Sequence, residues 1–165
     1  GGCICVMALS LLGGCEPASQ RPDLPTRPAT GEVDAALLVG TWRCRDLNPR
    51  PDQPAQVVTT LYAPAGWFRS ESAIPGRGRL GPVEVIQRGR WSVSGNRLVT
   101  SEVTTSARAS DGNSETDAWA RASAELVDAL GSRPSASGLL RLDAQRLFLR
   151  PVGATDPPVI GCRRA

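Results

Sequence analysis

Serine and threonine are plentiful in this chain, but the residues that would turn a hydroxyl into a nucleophile are missing: the sequence contains no histidine and no lysine. A hydroxyl attacks at neutral pH only when a neighbouring base takes its proton, and neither a Gly-x-Ser-x-Gly elbow nor a Ser-x-x-Lys pair is present. Glu71, Glu84 and Glu102 are available for acid–base work. All three fall in β-patterned runs, where carboxylates ordinarily form the wetted face, and nothing in their spacing brings two together. Gly76-Arg-Gly78-Arg-Leu-Gly81 has the letters of a dinucleotide loop, whose physics requires a helix N-terminus to receive the pyrophosphate; Pro82 and a β-patterned run follow instead. Asp111, Asn113, Glu115 and Asp117 alternate like the opening of a calcium loop, but the sixth position is not glycine and Ala122 stands where the bidentate acid belongs. The chain therefore reads as non-enzymatic, with no metal and no cofactor.

Charge narrows the partners. Nineteen basic residues, all arginine, face sixteen acids in a chain of 165, for a net charge of +3, and only 4% of residues are aromatic. A nucleic-acid binder would gather its arginines with stacking rings on one face, so no nucleic-acid partner is expected. The densest basic group is Arg77, Arg79, Arg88 and Arg90. A solvated strand face and loop explain it more cheaply than anionic lipid or an acidic partner does.

The elements that must position these residues follow from periodicity. Residues 16–34 are proline-rich and polar with no apolar period, the pattern of a semi-extended tether. Beyond them, short alternating runs punctuated by Gly, Pro, Asn and Asp predict strands over 37–46, 56–62, 67–74, 83–93, 97–105, 138–142, 146–150 and 159–164. Alternation in the fourth run puts Arg88 and Arg90 outside. Between 115 and 130 the period becomes helical, with Trp119, Ala122, Leu126 and Leu130 on one stripe, Ser114 and Asp117 suited to a capping box, and Gly131 and Pro134 to stop it. The prediction is a mainly β domain with eight strands and one inserted helix. About 130 residues suffice for one core.

Ile4 to Leu12 is apolar but far shorter than the roughly 20 residues a membrane-spanning helix needs. Leu12-Gly13-Gly14-Cys15, at its end, resembles the lipobox of bacterial lipoproteins. That resemblance implies a signal peptide over 1–14, truncated at its N-terminus, a lipidated Cys15 at the head of a tether over 15–35, and a domain over 36–165. Glu16, where an Asp would signal inner-membrane retention, implies the outer membrane, with the domain facing the periplasm. Two or more acyl chains hold a protein at a membrane where one does not. If Cys3 and Cys5 leave with the signal and Cys15 is alkylated, Cys44 and Cys162 remain as a pair in an oxidising compartment, where a disulfide is expected.

Gly40-Thr41-Trp42 on the first strand and Arg163-Arg164 on the last resemble the lipocalin arrangement, in which the tryptophan plugs one end of a closed barrel and an arginine of the final strand packs across its ring. Leu-Val-Gly-Thr-Trp-Arg-Cys and Gly-Cys-Arg-Arg are similar to segments of small lipocalin-like domains of bacterial envelope proteins. The resemblance implies a barrel-closing set of Gly40, Trp42 and Arg164, with Cys44 and Cys162 on neighbouring strands. The helix before the last three strands departs from the common order of that family and leaves a half-open sheet covered by the helix as the alternative. A small apolar ligand lined by Phe68, Ile74, Val83, Val85, Trp91 and Val93 is the first functional expectation. An inhibitor of an envelope-directed protease or lysozyme, probing with Arg77 and Arg79 in the loop 75–82, is the second. A structural accessory to an envelope protein is the third. A monomer is expected in each.

Overall fold

The computed structural model describes Pro25, Ala29, Gly31 and residues 33–49, 56–130 and 133–165. Eight strands follow in chain order: β1 (Gly40–Asp46), β2 (Val57–Tyr62), β3 (Trp67–Ile74), β4 (Val83–Ser94), β5 (Arg97–Ala109), β6 (Ser135–Leu142), β7 (Arg146–Pro151) and β8 (Ile160–Arg164), with α1 (Ser114–Leu130) between β5 and β6. Each strand runs antiparallel to the next, and β8 pairs back onto β1, so the sheet closes. The mainly β fold with eight strands and one inserted helix is what the alternation predicts, and the closed antiparallel barrel is the arrangement expected from the lipocalin resemblance. The half-open alternative does not hold.

Closure places inward side chains in register around the wall. Trp42 and Cys44 on β1 face Arg164 and Cys162 on β8, and Thr60 and Val58 on β2. The core gathers at the end where β1 begins: Leu38, Trp42, Leu98, Leu139 and Leu147 are buried there, with Trp91 and Val93 packed against them. Midway along the wall, Gly89 lies opposite Phe68, and a Cβ at Gly89 would stand 2.8 Å from that ring. Glycine is therefore what lets the phenyl ring lie against the strand. Opposite the same point β5 carries one extra residue, at Glu102 with φ 52°, so its inward set changes from Leu98 and Thr100 to Val103, Thr105 and Ala107.

β5 is long because two different partners share its edge. β6 pairs only with Arg97–Thr100, and the rest of the edge would expose unpaired amides. α1 covers it. Its Asp128 accepts a hydrogen bond from the Thr105 amide (2.7 Å) and its Asp117 one from the Ala109 amide (3.2 Å), so two carboxylates three turns apart substitute for a ninth strand. Thr116, Ala120 and Ala124 are buried beneath the helix, and these small side chains permit that close approach.

Four local expectations are corrected. The stripe of Trp119, Ala122 and Leu126 is not the buried one: Trp119 is 46% and Leu126 60% exposed, because the edge of β5 admits only small residues. The helix cap is Asn113, whose side chain accepts from the Thr116 amide, rather than Ser114. The first strand begins at Gly40, where φ +127° breaks the extended run, and Ala35–Leu38 instead form a 3-10 turn capped by Asp34. Within the stretch read as tether, the Ala29 amide donates to the Leu139 carbonyl and Val33 packs on the core, so these residues are held against the barrel. Cys15, the segment 1–14, most of the tether and Gly131 lie outside the described residues.

Candidate functional site

One end of the barrel is sealed by a clasp. The Arg164 guanidinium lies 4.3 Å from the centroid of the Trp42 ring. It donates to the carbonyls of Leu37 (2.6 Å), Val39 (2.7 Å) and Ala144 (2.7 Å), binding β8 to the 3-10 turn and to the β6–β7 turn. The Trp42 indole donates to the Leu38 carbonyl (2.7 Å). Gly40 must lack a side chain here, because a Cβ would stand 2.3 Å from Arg164 Nη1. The β6–β7 turn that presents Ala144 is built on Asp143: the Gln145 backbone amide above all, then the Arg146 amide and the Arg141 side chain, hold its carboxyl below the usual carboxylate range. Next to the clasp, Cys44 and Cys162 are directly opposed and joined by a disulfide, with Cα atoms 4.0 Å apart.

Away from the clasp the interior is hollow. A cavity of about 360 Å³ is lined by inward residues of β1, β2, β7 and β8, among them Cys44, Val58, Thr60, Tyr62, Leu149 and Ile160, with Asp46, Pro49 and Gln56 at its rim. A second, of about 390 Å³, lies between β3, β4, β5 and α1 and is lined by Tyr62, Phe68, Ser70, Gln87, Val103 and Thr105, with Asp128 and Arg133 from the far side. The two flank one polar seam, in which Thr60 and Ser70 share a hydrogen bond of 2.8 Å. Each volume falls within the range of small-molecule sites.

Tyr62 borders both cavities. The residue is 6% exposed, and its ring meets Trp91 edge-on at 5.7 Å and Phe68 at 6.3 Å. Burial pushes its phenol well above the ordinary range. Among the described residues no group hydrogen-bonds its hydroxyl. The hydroxyl oxygen is not among the buried polar atoms that lack a partner, so the ring is buried while its polar end stays accessible beside the cavities. The alternation placed Tyr62 on a strand but did not single it out. Its position at the end of β2, against the β2–β3 turn, was the available signal.

Of the six residues expected to line a pocket, only Phe68 borders either interior cavity. Trp91 and Val93 pack into the sealed end, where the Trp91 indole donates to the Ala63 carbonyl (3.0 Å), and Val93 borders only a shallow depression beside the 3-10 turn. Val83 is buried opposite Ala109, Val85 is paired with Ala107, and Ile74 is 36% exposed. They sit together at the other end of β4 from Trp91 and Val93, with Ile74 opposite Val83. The physical reason is the length of β4, whose inward residues from Val83 to Val93 span the full height of the barrel and so lie at different depths.

The loop 75–82 is pinned rather than loose. Arg77 and Leu80 form a bridge, and the Gly81 amide donates to the Thr116 hydroxyl (2.9 Å), leaving Arg77 and Arg79 exposed at the tip. The loop passes into β4, not a helix, so the dinucleotide reading of its glycines fails. The carboxylates considered for acid–base work do not converge: Glu71 pairs with Arg69, Glu84 with Arg108, and Glu102 lies 3.9 Å from Arg90. Asp111, Asn113 and Asp117 organise the start of α1. No protein-family model matches the chain, and a comparison with curated proteins finds no match.

Proposed function

We propose that this protein is a lipocalin-like binding module of the bacterial cell envelope, anchored by lipid on Cys15, that holds one small apolar molecule carrying a single polar group. The observation that carries the reading is the pair of cavities of about 360 and 390 Å³ that meet at Tyr62, whose ring borders both and whose hydroxyl is accessible there. The clasp of Gly40, Trp42 and Arg164 supports the same reading, because it seals one end and leaves the other for entry. Apolar walls supply affinity, and the hydroxyl orients the bound molecule by its polar end. The domain faces the periplasm from the outer membrane and is a monomer, without catalytic residues, metal or cofactor. Native mass spectrometry of the protein purified from its own membranes is expected to show a co-purified mass. N-phenyl-1-naphthylamine is expected to bind saturably and to be excluded by Val58→Trp, which fills the first cavity. Apo protein alone, together with probe binding indifferent to Val58→Trp, removes the reading.

A second reading rests on the pinned loop with its two exposed arginines. A rigid tip costs little entropy to insert into a cleft. On this reading the barrel is a scaffold, and the partner is an envelope-directed protease or lysozyme. A hydrolase retained on the protein and released by Arg77→Glu with Arg79→Glu distinguishes it from the first.

A further inference from the structure

The outer face of β1, β8 and β7 carries a row of like charges. Arg43 stands directly opposite Arg163, and Arg163 directly opposite Arg146, so three guanidinium groups cross three adjacent strands on one face. Arg45 lies one step along the same face, beside Phe148 across Gly161. All four arginines are exposed, and among the described residues none of them pairs with a carboxylate. Elsewhere on the barrel the outer arginines Arg69, Arg108 and Arg141 each have one. Like charges directly opposite one another destabilise a sheet, so this row costs the fold something and returns nothing to it.

The groove that the row borders has a volume of about 620 Å³ and a mixed lining, with Phe148 and the exposed Val57 at either end of the cross-strand row that holds Arg45. Free phosphate would need the cations but not the apolar side chains. A nucleic acid would need more than one ring on which to stack. Cations spaced one strand apart, with apolar groups in the next row of the same face, match the headgroup layer of an anionic phospholipid surface, where phosphates lie above the glycerol and acyl region. We propose that this face binds anionic phospholipid headgroups and lays the side wall of the barrel on the membrane. The site is separate from the cavities and does not depend on the lipid anchor.

The test uses the mature chain, residues 15–165, with Cys15→Ser, which lacks both the apolar segment 1–14 and the acylated thiol, so that any vesicle binding comes from the folded face. In flotation at low ionic strength it is expected to bind phosphatidylcholine vesicles containing phosphatidylglycerol and not vesicles of phosphatidylcholine alone, and added salt should release it. Arg43→Gln with Arg163→Gln should weaken binding about 30-fold. Arg88→Gln with Arg97→Gln, exposed on other strands, should leave it unchanged. Because the row is repulsive, Arg163→Thr is expected to raise the melting temperature by about 1 to 4 °C while weakening vesicle binding about 5-fold, which separates a lost contact from a lost fold. Equal binding to neutral vesicles, no binding to anionic ones, or the same affinity in the Arg43/Arg163 variant overturns the proposal. Saturable binding of inorganic pyrophosphate without vesicle binding also overturns it and assigns the face to a soluble phosphate.

Discussion

Replacing Arg164 by alanine is expected to destabilise the barrel by about 3 kcal/mol, and the figure can be assembled from its contacts. Two of its hydrogen bonds, to Leu37 and Val39, are partly buried, and charge-assisted bonds of this kind contribute about 1.5 to 3 kcal/mol each. The third, to Ala144, is exposed and adds little. The contact with the Trp42 ring adds about 1 kcal/mol. Freeing the long side chain returns up to about 2 kcal/mol of ordering entropy. The balance is a loss near 3 kcal/mol, or about 10 °C in melting temperature for a domain of this size. Urea denaturation of the disulfide-intact protein, followed by tryptophan fluorescence, measures it. Arg164→Lys keeps the charge but presents a single point of donors, which cannot reach the separate carbonyls in the same way, and is expected to recover less than half of the loss. A cost below about 1 kcal/mol, or a lysine variant as stable as the parent, would refute the account of the clasp.

Gly40→Ala is expected to cost about 2 to 3 kcal/mol, from its positive φ and from a methyl group that meets Arg164, and less than that in an Arg164→Ala background; a double-mutant cycle with no coupling would show that the two are independent. Tyr62 is the sole tyrosine, so phenolate absorbance reports it alone: it should ionise only above the ordinary tyrosine range until the protein unfolds. Because its folded form keeps the proton that the unfolded chain releases, stability should fall above about pH 10, by up to about 1.4 kcal/mol per pH unit; a midpoint at the ordinary value would contradict its burial. Asp128→Ala should strip the Thr105 amide of its acceptor and speed its hydrogen exchange at least about tenfold, with Ala109 unaffected and Asp128→Asn restoring protection. Unchanged exchange would mean that α1 does not guard the edge.

Strand number and wall polarity were legible in the residues because alternation and turn chemistry are local. Val83 to Ser94 swaps faces residue by residue, and Gly95-Asn96 turns it back, without reference to anything distant. Closure was implied by the lipocalin resemblance rather than by alternation; parity only agreed with it, since Trp42 and Cys44 share a face of β1 and Cys162 and Arg164 a face of β8. What only the tertiary structure decided depends on register and on edges. Which stripe of α1 is buried followed from how closely the edge of β5 must be approached, and small side chains prevailed over Trp119 and Leu126 there. The extra residue at Glu102 changed the inward set of β5 without any mark in the alternation. The row of Arg43, Arg163 and Arg146 joins residues more than a hundred positions apart. The hollow beside Tyr62 depends on side chains from both ends of the chain, and no local pattern carries either arrangement because each arises only when the sheet closes on itself.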